Sequence, residues 1–227
     1  MQLYIGNKNY STWSMRPWVL LKQFDIPFEE IRLTLDTNLD SKFKQRLSSV
    51  TPTGLVPVLV HNDLMVWDTL AIAETLAELF PHLPMWPRDA KARARARSNC
   101  AEMHSGFTSL RNHCPMNIEV NMPEIGAKLM KEDSAVQSDL QRIVNMWQEA
   151  LNNSGGPFLF GDFGIADAYF APVVMRIRTY ALPVPAGITA YCERITALKS
   201  VHAWIKDALQ EHEFVEVDEP YRSKPSN

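Results

Sequence analysis

The sequence predicts two domains, a small mixed α/β domain followed by an all-α domain. In residues 1–80, short β-prone runs alternate with segments whose apolar residues recur at helical spacing. Pro81, Pro84 and Pro87 then interrupt the chain, and a helix cannot cross them intact because proline lacks an N–H and clashes with the preceding turn. From Asp89 onward the strand patterns disappear. We therefore expect a linker at residues 81–88, a helical domain at 89–216 and a loosely held tail at 217–227.

The first domain has the predicted order βαβαββα, which is the order of a thioredoxin-like domain. Strands are expected at residues 2–5, 28–35, 56–60 and 64–66, and the last two strands form a hairpin. Helices are expected at residues 15–24, 41–48 and 71–79. These elements predict a compact mixed sheet covered by helices rather than a long doubly wound sheet.

The second domain is predicted to be an all-α helical bundle. Residues 90–113 are rich in helix-forming side chains, and apolar residues from Leu129 to Leu151 recur as one face of a long helix would. Further helices are expected at residues 165–180, 187–198 and 201–212.

The composition excludes several functional classes. The chain has 227 residues, 46% of them hydrophobic, which fits a globular protein and neither a disordered nor a fibrous one. Its 23 basic and 26 acidic side chains give a formal charge of -3, so we expect no nucleic-acid partner. Three widely spaced cysteines indicate neither a disulfide framework nor a metal site, and no segment has the length of a membrane span. We expect a cytoplasmic protein that binds a small or protein ligand.

The segment between the first strand and the first helix carries two serines, Ser11 and Ser14. Because Pro17 is best tolerated in the first turn, we expect Ser14 to be the N-cap and Met15 to begin the helix. A thioredoxin-like fold places its redox CxxC here, whereas this chain has Ser11-x-x-Ser14. A hydroxyl cannot exchange disulfides, but beside a helix N-terminus it can donate a hydrogen bond to a ligand's thiolate. Alternatively, the two serines only form a turn and a cap.

Two further segments suggest a peptide-binding site. Val56-Pro57 opens a strand, and a cis bond there would offer the main chain of Val56 to a peptide ligand; a trans proline at a sheet edge is the alternative. Asp68 and Thr69 stand where a strand ends and a helix begins, a setting suited to the amino and carboxylate groups of a zwitterion. Alternatively, this pair is only a helix cap.

Together and in this order, the three segments resemble the motifs of cytosolic glutathione transferases. Residues 11–16, Ser-Thr-Trp-Ser-Met-Arg, resemble the serine motif of the zeta and tau classes. Residues 51–59 resemble the family's Asn-Pro-x-Gly-x-Val-Pro-x-Leu, and residues 67–72 resemble its Glu-Ser-x-Ala-Ile. Residues 161–168 resemble its helix-capping motif, with Gly164 replacing the usual hydroxyl residue and Asp167 able to cap from the third position. The resemblance covers essentially the whole chain.

The resemblance implies roles for individual residues at the glutathione site. Ser11 would be the catalytic hydrogen-bond donor to the sulfur, and Val56 the main-chain partner of the cysteinyl unit. Asp68 and Thr69 would hold the γ-glutamyl group. Lys42 would reach the glycyl carboxylate, with Lys44 and Arg46 as rivals. The full set assigned to glutathione is Ser11, Trp13, Lys42, Val56, Pro57, Asp68 and Thr69.

The resemblance also implies a second-substrate pocket and a reaction. Phe107, Arg111 and His113 are expected to border the cleft, whereas Cys114 is expected to be a buried apolar residue. The implied enzyme is a homodimeric glutathione transferase, with a role in detoxification, that adds the thiolate to a small electrophile without a metal. One alternative is glutathione-dependent cis-trans isomerisation, although Trp13 replaces the small cysteine usual in maleylacetoacetate isomerases. The other is a non-catalytic module that binds a protein partner.

Overall fold

The computed structural model describes residues 1–36, 38 and 40–223, so the last four residues of the predicted tail lie outside the described residues. The strands are β1 Gln2–Ile5, β2 Glu29–Arg32, β3 Val58–His61 and β4 Leu64–Val66. The helices of the N-terminal region are α1 Thr12–Gln23, α2 Lys42–Ser48 and α3 Thr69–Leu79. Those that follow are α4 Ala90–Ser105, α5 Thr108–His113, α6 Pro123–Glu132, α7 Ser134–Ser154, α8 Ile165–Thr179, α9 Ala186–Ala197 and α10 Lys199–Ala208.

The four strands form one mixed sheet in the order β2-β1-β3-β4. Strand β1 pairs with β2 in parallel and with β3 antiparallel, and β3 pairs antiparallel with β4. The thioredoxin-like order predicted from the sequence is therefore confirmed, with helices following the sheet as expected.

The side chains of β1 divide between two apolar clusters because successive residues of a strand point to opposite faces. Leu3 and Ile5 are fully buried in the main core, which they share with helices of both regions. Tyr4 points to the other face and packs in a smaller cluster with Phe43, Leu47 and Val58. The sheet is thus covered by helix on both faces.

Helix α1 joins the sheet region to the helical region. It packs against α3 on one side and against α8 and α10 on the other. Trp18 of α1 meets Trp204 of α10 edge to face, with ring centroids 5.3 Å apart. The main core is therefore continuous across the two regions, and α1 lies within it.

The first helix begins three residues earlier than the sequence predicts. Thr12 is its first residue, Ser11 occupies the N-cap position, and Pro17 lies inside the helix. The N–H of Met15 donates to the carbonyl of Ser11 at 3.1 Å, which closes the first turn upstream of the predicted start. Ser14 is not a cap, because its hydroxyl lies buried inside the first turn and accepts a hydrogen bond from Gly6.

Two predicted long helices are each divided in two. Residues 90–113 form α4 and α5, separated at Gly106 and Phe107, where Phe107 has a left-handed backbone with φ 56°. The apolar series from Leu129 to Leu151 spans α6 and α7, which are separated at Asp133. The Asp133 carboxylate accepts hydrogen bonds from the first turn of α7 and caps that helix. At the first break the left-handed residue ends a run of helix-forming side chains, and at the second the Asp133 cap interrupts an apolar periodicity that continues across the break.

The start of α8 has the capping interaction that the sequence predicts. Asp167 accepts hydrogen bonds from the N–H of Gly164 at 3.0 Å, the N–H of Leu159 at 3.1 Å and the hydroxyl of Tyr191 at 3.0 Å. The side chain is almost fully buried, and burial raises the pKa of its carboxyl to about 6. This one carboxylate therefore joins the loop at Leu159, the start of α8 and Tyr191 of α9 by hydrogen bonds.

We predict that Asp167→Ala lowers the free energy of unfolding by about 3 kcal/mol, because three buried donors lose their acceptor. Urea denaturation at neutral pH measures the change. Asp162→Ala is the matched control, since Asp162 is exposed in the same loop. Equal stability of the two variants would show that the cap contributes nothing beyond an ordinary surface carboxylate.

Candidate active site

The loop between β1 and α1 is buried although its side chains are polar. Asn7 and Asn9 are at most 3% exposed. The carbonyl of Asn7 accepts hydrogen bonds from the N–H groups of Tyr10 and Ser11, and its side-chain oxygen accepts from the N–H of Leu35 at 2.6 Å. The side-chain oxygen of Asn9 accepts from the N–H of Ile118 and its neighbour Glu119. This loop, which the sequence suggested only as a polar connection, is held from both sides.

Lys8 in the same loop is a buried charge with two carboxylate partners. Its ammonium lies 2.9 Å from Glu30 and 2.6 Å from Asp207. The same ammonium stands 4.6 Å from the ring centroid of Trp18. A buried ammonium is tolerated only when it is paired, so this cluster fixes the loop between β2, α1 and α10.

Ser11 lies at the N-terminus of α1 with its hydroxyl in a short hydrogen-bonded series. Its Oγ donates to Oγ of Ser14 at 2.7 Å, and the N–H of Gly6 donates to the same Ser14 oxygen at 3.1 Å. Ser11 is 7% exposed, and Ser14 is fully buried. The helix start leaves N–H groups without intrahelical acceptors and carries partial positive charge, so a negative ligand atom is favoured beside Ser11.

Ser11 opens onto a cleft of about 360 Å³ between the two regions. Of the residues predicted for the site, Ser11, Trp13, Val56 and Arg111 line this cleft. Others that line it, such as Tyr10 and Thr12, come from the same loop and helix start. The structure thus brings together the predicted hydroxyl, the predicted main-chain partner and one residue of the predicted second-substrate pocket.

The Val56-Pro57 peptide bond is cis, as the sequence suggested. Pro57 is buried, whereas Val56 is partly exposed toward the cleft. Strand β3 begins at Val58, so the N–H and C=O of Val56 lie outside the hydrogen-bonded register of β1 and β3. An extended peptide in the cleft can therefore pair with them.

Three basic residues on or near α2 were candidates for the glycyl carboxylate. Lys42 and Arg46 are exposed and do not line the cleft, whereas Lys44 does. The ammonium of Lys44 donates to the carbonyl of Gly54 at 3.0 Å, close in sequence to Val56. Of the three candidates, Lys44 is therefore the one that lines the cleft.

Asp68 and Thr69 stand at the start of α3 with opposite orientations. Asp68 is exposed, caps the helix by accepting from the N–H of Leu70, and lies 3.3 Å from His104 of α4. The hydroxyl of Thr69 is buried and hydrogen-bonded to the hydroxyl of Tyr169 at 2.8 Å. A ligand at this place would meet the Asp68 carboxylate and the main-chain N–H of Thr69, not its hydroxyl.

Only one of the three residues predicted for the second-substrate pocket reaches the cleft. Arg111 lines it, with its guanidinium 5.1 Å from the ring centroid of Trp13. Phe107 is buried in the main core, and His113 pairs with Asp133 at 3.2 Å, away from the cleft lining. Cys114 is fully buried, and burial raises the pKa of its thiol to about 12, which fits the predicted apolar role.

The segment after α10 covers one side of the cleft, where the sequence predicts a loose tail. Val215, Val217 and Asp218 line the cleft. Glu219 is 5% exposed and accepts hydrogen bonds from the hydroxyl of Tyr10 at 2.6 Å and the amide of Asn117 at 2.8 Å. The predicted loose tail began at residue 217, and at Glu219 the structure differs from that prediction because this buried carboxylate is hydrogen-bonded to Tyr10 and Asn117.

Two buried arginines place positive charge near the cleft. Arg16 is stacked between the rings of Trp13 and Tyr169, with its guanidinium carbon 4.3 and 4.1 Å from their centroids. Arg176 lines the cleft and donates to the carbonyl of Cys114 at 2.8 Å. Burial lowers the pKa of each guanidinium to about 10.

Neither arginine has an acidic partner among residues 1–36, 38 and 40–223. In that part of the chain the ion-paired arginines are Arg32, Arg95, Arg97, Arg142 and Arg222. Asp218, which also lines the cleft, attracts Arg176 from beyond ion-pair distance. Because neither guanidinium is ion-paired, the buried positive charge favours an anionic ligand beside the cleft. Arg16 is the last residue of the motif at residues 11–16, whereas the sequence contained no pattern that distinguished Arg176 from surface arginines.

The described ranges offer neither a metal-binding cluster nor a membrane-spanning helix. They contain no group of three or more His, Cys, Asp or Glu side chains placed to hold a metal ion. No helix in those ranges has the length and apolar character needed to cross a membrane.

We predict that Glu219→Gln increases amide hydrogen exchange in residues 213–219 about tenfold, because a charge-assisted acceptor worth about 1.5 kcal/mol is lost. Glu216→Gln in the same segment is the control, since Glu216 is exposed. Hydrogen exchange followed by mass spectrometry measures both variants. Unchanged exchange in Glu219→Gln would mean that other contacts hold the segment.

Comparison with known proteins places this arrangement in a family. Residues 10–79 match the model of the glutathione S-transferase N-terminal domain. The chain is 30% identical to a probable maleylacetoacetate isomerase of Caenorhabditis elegans over 181 residues, covering 79% of this chain and 80% of that protein. It is 29% identical over 182 residues to glutathione S-transferase 1 of Dianthus caryophyllus, covering 79% of this chain and 78% of that protein.

A solved structure agrees with these sequence matches. A glutathione transferase homolog from Burkholderia gl BGR1, with bound glutathione, superimposes with a TM-score of 0.69 at 27% identity, covering 91% of this chain and 97% of that chain. The chain belongs to the glutathione S-transferase family.

Proposed function

We propose that this protein is an enzyme that binds reduced glutathione, stabilises its thiolate and adds the sulfur to an electrophilic co-substrate. The observation that carries the proposal is the Ser11 hydroxyl, which lies at the N-terminus of α1 and lines a cleft between the sheet and helical regions. The relatives named glutathione S-transferase and the neighbour with bound glutathione support the choice of ligand.

The Ser11 hydroxyl can turn toward a sulfur without any movement of heavy atoms. In the structure it donates to Ser14, whose oxygen is held by the N–H of Gly6. When a thiolate arrives, the Ser14 hydroxyl can donate to Ser11 instead, and the Ser11 proton then points at the sulfur. A donor that is already in place stabilises the anion at little reorganisation cost. Such surroundings lower a thiol pKa from about 8.5 into the range of roughly 3.5–7.5.

The remaining contacts to glutathione follow from the placement of the predicted residues. The main chain of Val56 pairs with the cysteinyl unit. Asp68 and the main chain of Thr69 lie outside the lining of the described cleft, next to His104 and beyond Trp13, and there they hold the γ-glutamyl group. Lys44 takes the glycyl carboxylate in place of Lys42, because Lys44 is the one of the two that lines the cleft. Trp13 forms the wall between the γ-glutamyl group and the second substrate.

We predict that Ser11→Ala reduces kcat/KM for conjugation about 100-fold, because one donor to a developing anion is worth about 2.7–4 kcal/mol. Glutathione affinity should stay within a few-fold, since the other contacts remain. Steady-state kinetics with an uncharged aryl halide and calorimetry with glutathione measure the two quantities. Ser98→Ala, which removes an exposed hydroxyl on α4, is the control. Near-normal turnover in Ser11→Ala with glutathione still bound contradicts the proposed role.

A second candidate is glutathione-dependent cis-trans isomerisation of a small unsaturated acid. Arg111 and Arg176 both line the cleft, and neither is among the ion-paired arginines named above. Two such cations suit a substrate that carries carboxylate groups. In this reaction the thiolate adds to the double bond, the resulting single bond rotates, and the thiolate leaves again. The same Ser11 site serves both reactions.

We predict that Arg111→Gln lowers kcat/KM about tenfold for an unsaturated carboxylic acid and changes it less than threefold for an uncharged aryl halide. The reason is the loss of a charge-assisted contact of roughly 1.5 kcal/mol to the acid alone. Parallel assays of isomerisation and conjugation provide the comparison. Equal losses in the two assays would exclude a specific carboxylate contact at this residue.

Four earlier expectations stay predictions. A non-catalytic module would bind no glutathione at millimolar concentration, and calorimetry distinguishes it from both enzymes. Assembly as a homodimer, implied by the family resemblance, is measured by sedimentation. A cytoplasmic location and a role in detoxification await measurement in cells.

A further inference from the structure

We propose that His104 is a positioning residue of the γ-glutamyl subsite, holding the Asp68 carboxylate to receive the α-ammonium group of glutathione. The inference rests on the proposed function and adds to it a residue that no motif marks. His104 lies in the last turn of α4, in the helical region, whereas Asp68 lies at the start of α3. The proposed subsite therefore depends on both regions.

The supporting observation is a continuous series of hydrogen-bonding groups from the interior to Asp68. The guanidinium of Arg16 lies 3.4 Å from the Thr69 hydroxyl, which lies 2.8 Å from the hydroxyl of Tyr169. The Tyr169 hydroxyl is 2.9 Å from Nδ1 of His104, and Nε2 of His104 is 3.3 Å from the Asp68 carboxylate. The hydroxyls of Thr69 and Tyr169 and the imidazole of His104 each contact two neighbouring groups, and the series ends at the exposed carboxylate of Asp68.

The direction of the last hydrogen bond follows from its acceptor. A carboxylate can only accept, so Nε2 of His104 carries a proton and donates to Asp68. In the neutral imidazole Nδ1 is then the unprotonated nitrogen, and it accepts from the Tyr169 hydroxyl. Thr69 accepts from the guanidinium of Arg16 and can donate its own proton to Tyr169, so every hydrogen bond in the series then has a donor and an acceptor.

The neighbours of His104 restrict its ring further. The edge of the imidazole meets the ring of Trp13, with centroids 5.1 Å apart, and Trp13 lines the glutathione cleft. The side chain of Asp68 is about half exposed. An exposed side chain can adopt several rotamers unless neighbouring groups restrict it. His104 therefore contacts one carboxylate oxygen while the N–H of Leu70 binds the other, and the exposed carboxylate keeps further lone pairs for a ligand.

Calorimetric titration with two ligands tests this inference. The ligands are glutathione and its analogue in which the γ-glutamyl unit lacks the α-amino group. We expect His104→Phe to weaken glutathione binding about tenfold and to leave the affinity for the analogue within twofold. His104→Gln, whose amide can both accept from Tyr169 and donate to Asp68, should retain most of the glutathione affinity. His202→Phe on the exposed face of α10 is the control and should bind both ligands normally.

A double-mutant comparison adds a readout that a structural role would not move. Asp68→Asn should weaken glutathione binding about as much as His104→Phe, and the double variant should lose little more, because both changes remove the same contact. Equal weakening of both ligands by His104→Phe, or unchanged glutathione affinity, would overturn the inference. The unchanged chain separates the two proposals: if it binds no glutathione at millimolar concentration, the proposed function fails, and this inference with it.

Discussion

The hydrogen bonds that hold residues 6–14 fix the position of the Ser11 hydroxyl, and the proposed chemistry depends on that position. The carbonyl of Asn7 accepts from the N–H of Ser11 at 2.8 Å, and the N–H of Gly6 holds Ser14, the hydroxyl partner of Ser11. These groups are buried, so breaking any of these bonds would leave a polar atom without a partner in a low-dielectric interior. The hydroxyl and the helix start are therefore aligned before a ligand arrives.

The buried positive charge near the cleft also favours binding of a negatively charged ligand. Arg16 and Arg176 are buried beside the cleft, where their charges are weakly screened and their solvation is poor. Glutathione and an acidic co-substrate both bring negative charge to such a place. Arg16 contributes twice, because it also begins the hydrogen-bonded series that ends at Asp68. The segment after α10 covers one side of this cleft, and Glu219 fastens that cover to Tyr10.

Much of the fold could be predicted from local patterns, but several boundaries could not. The strand alternation was predictable because it depends on neighbouring residues, whereas the sequence left a cis and a trans Val56-Pro57 bond open and the structure has the cis form. The start of α1 was misplaced because the rule for Pro17 located the first turn, whereas the Gly6 contact buried Ser14 inside the helix. Similarly, the apolar repeat through residues 129–151 continued across the break between α6 and α7.

Some residues of the candidate site could be predicted from sequence motifs, and others could not. Ser11 and Val56 follow from motifs, and both line the cleft. Lys44 rather than Lys42 faces it because the helical turn of α2 decides which side chain points inward. His104, Arg176 and Asp218 come from distant parts of the chain, and only tertiary packing brings them near the site. Their residue types are common on surfaces, so no sequence pattern identified them.

The most direct test of the account is the pKa of the glutathione thiol when it is bound to this protein. Ultraviolet absorbance of the thiolate, followed as the pH of the complex is raised, gives that value. The account predicts a midpoint below about 7.5 for the unchanged chain, with a rise of one unit or more toward the free value of about 8.5 in Ser11→Ala. A midpoint near the free value in the unchanged chain, or one that does not depend on residue 11, would contradict it.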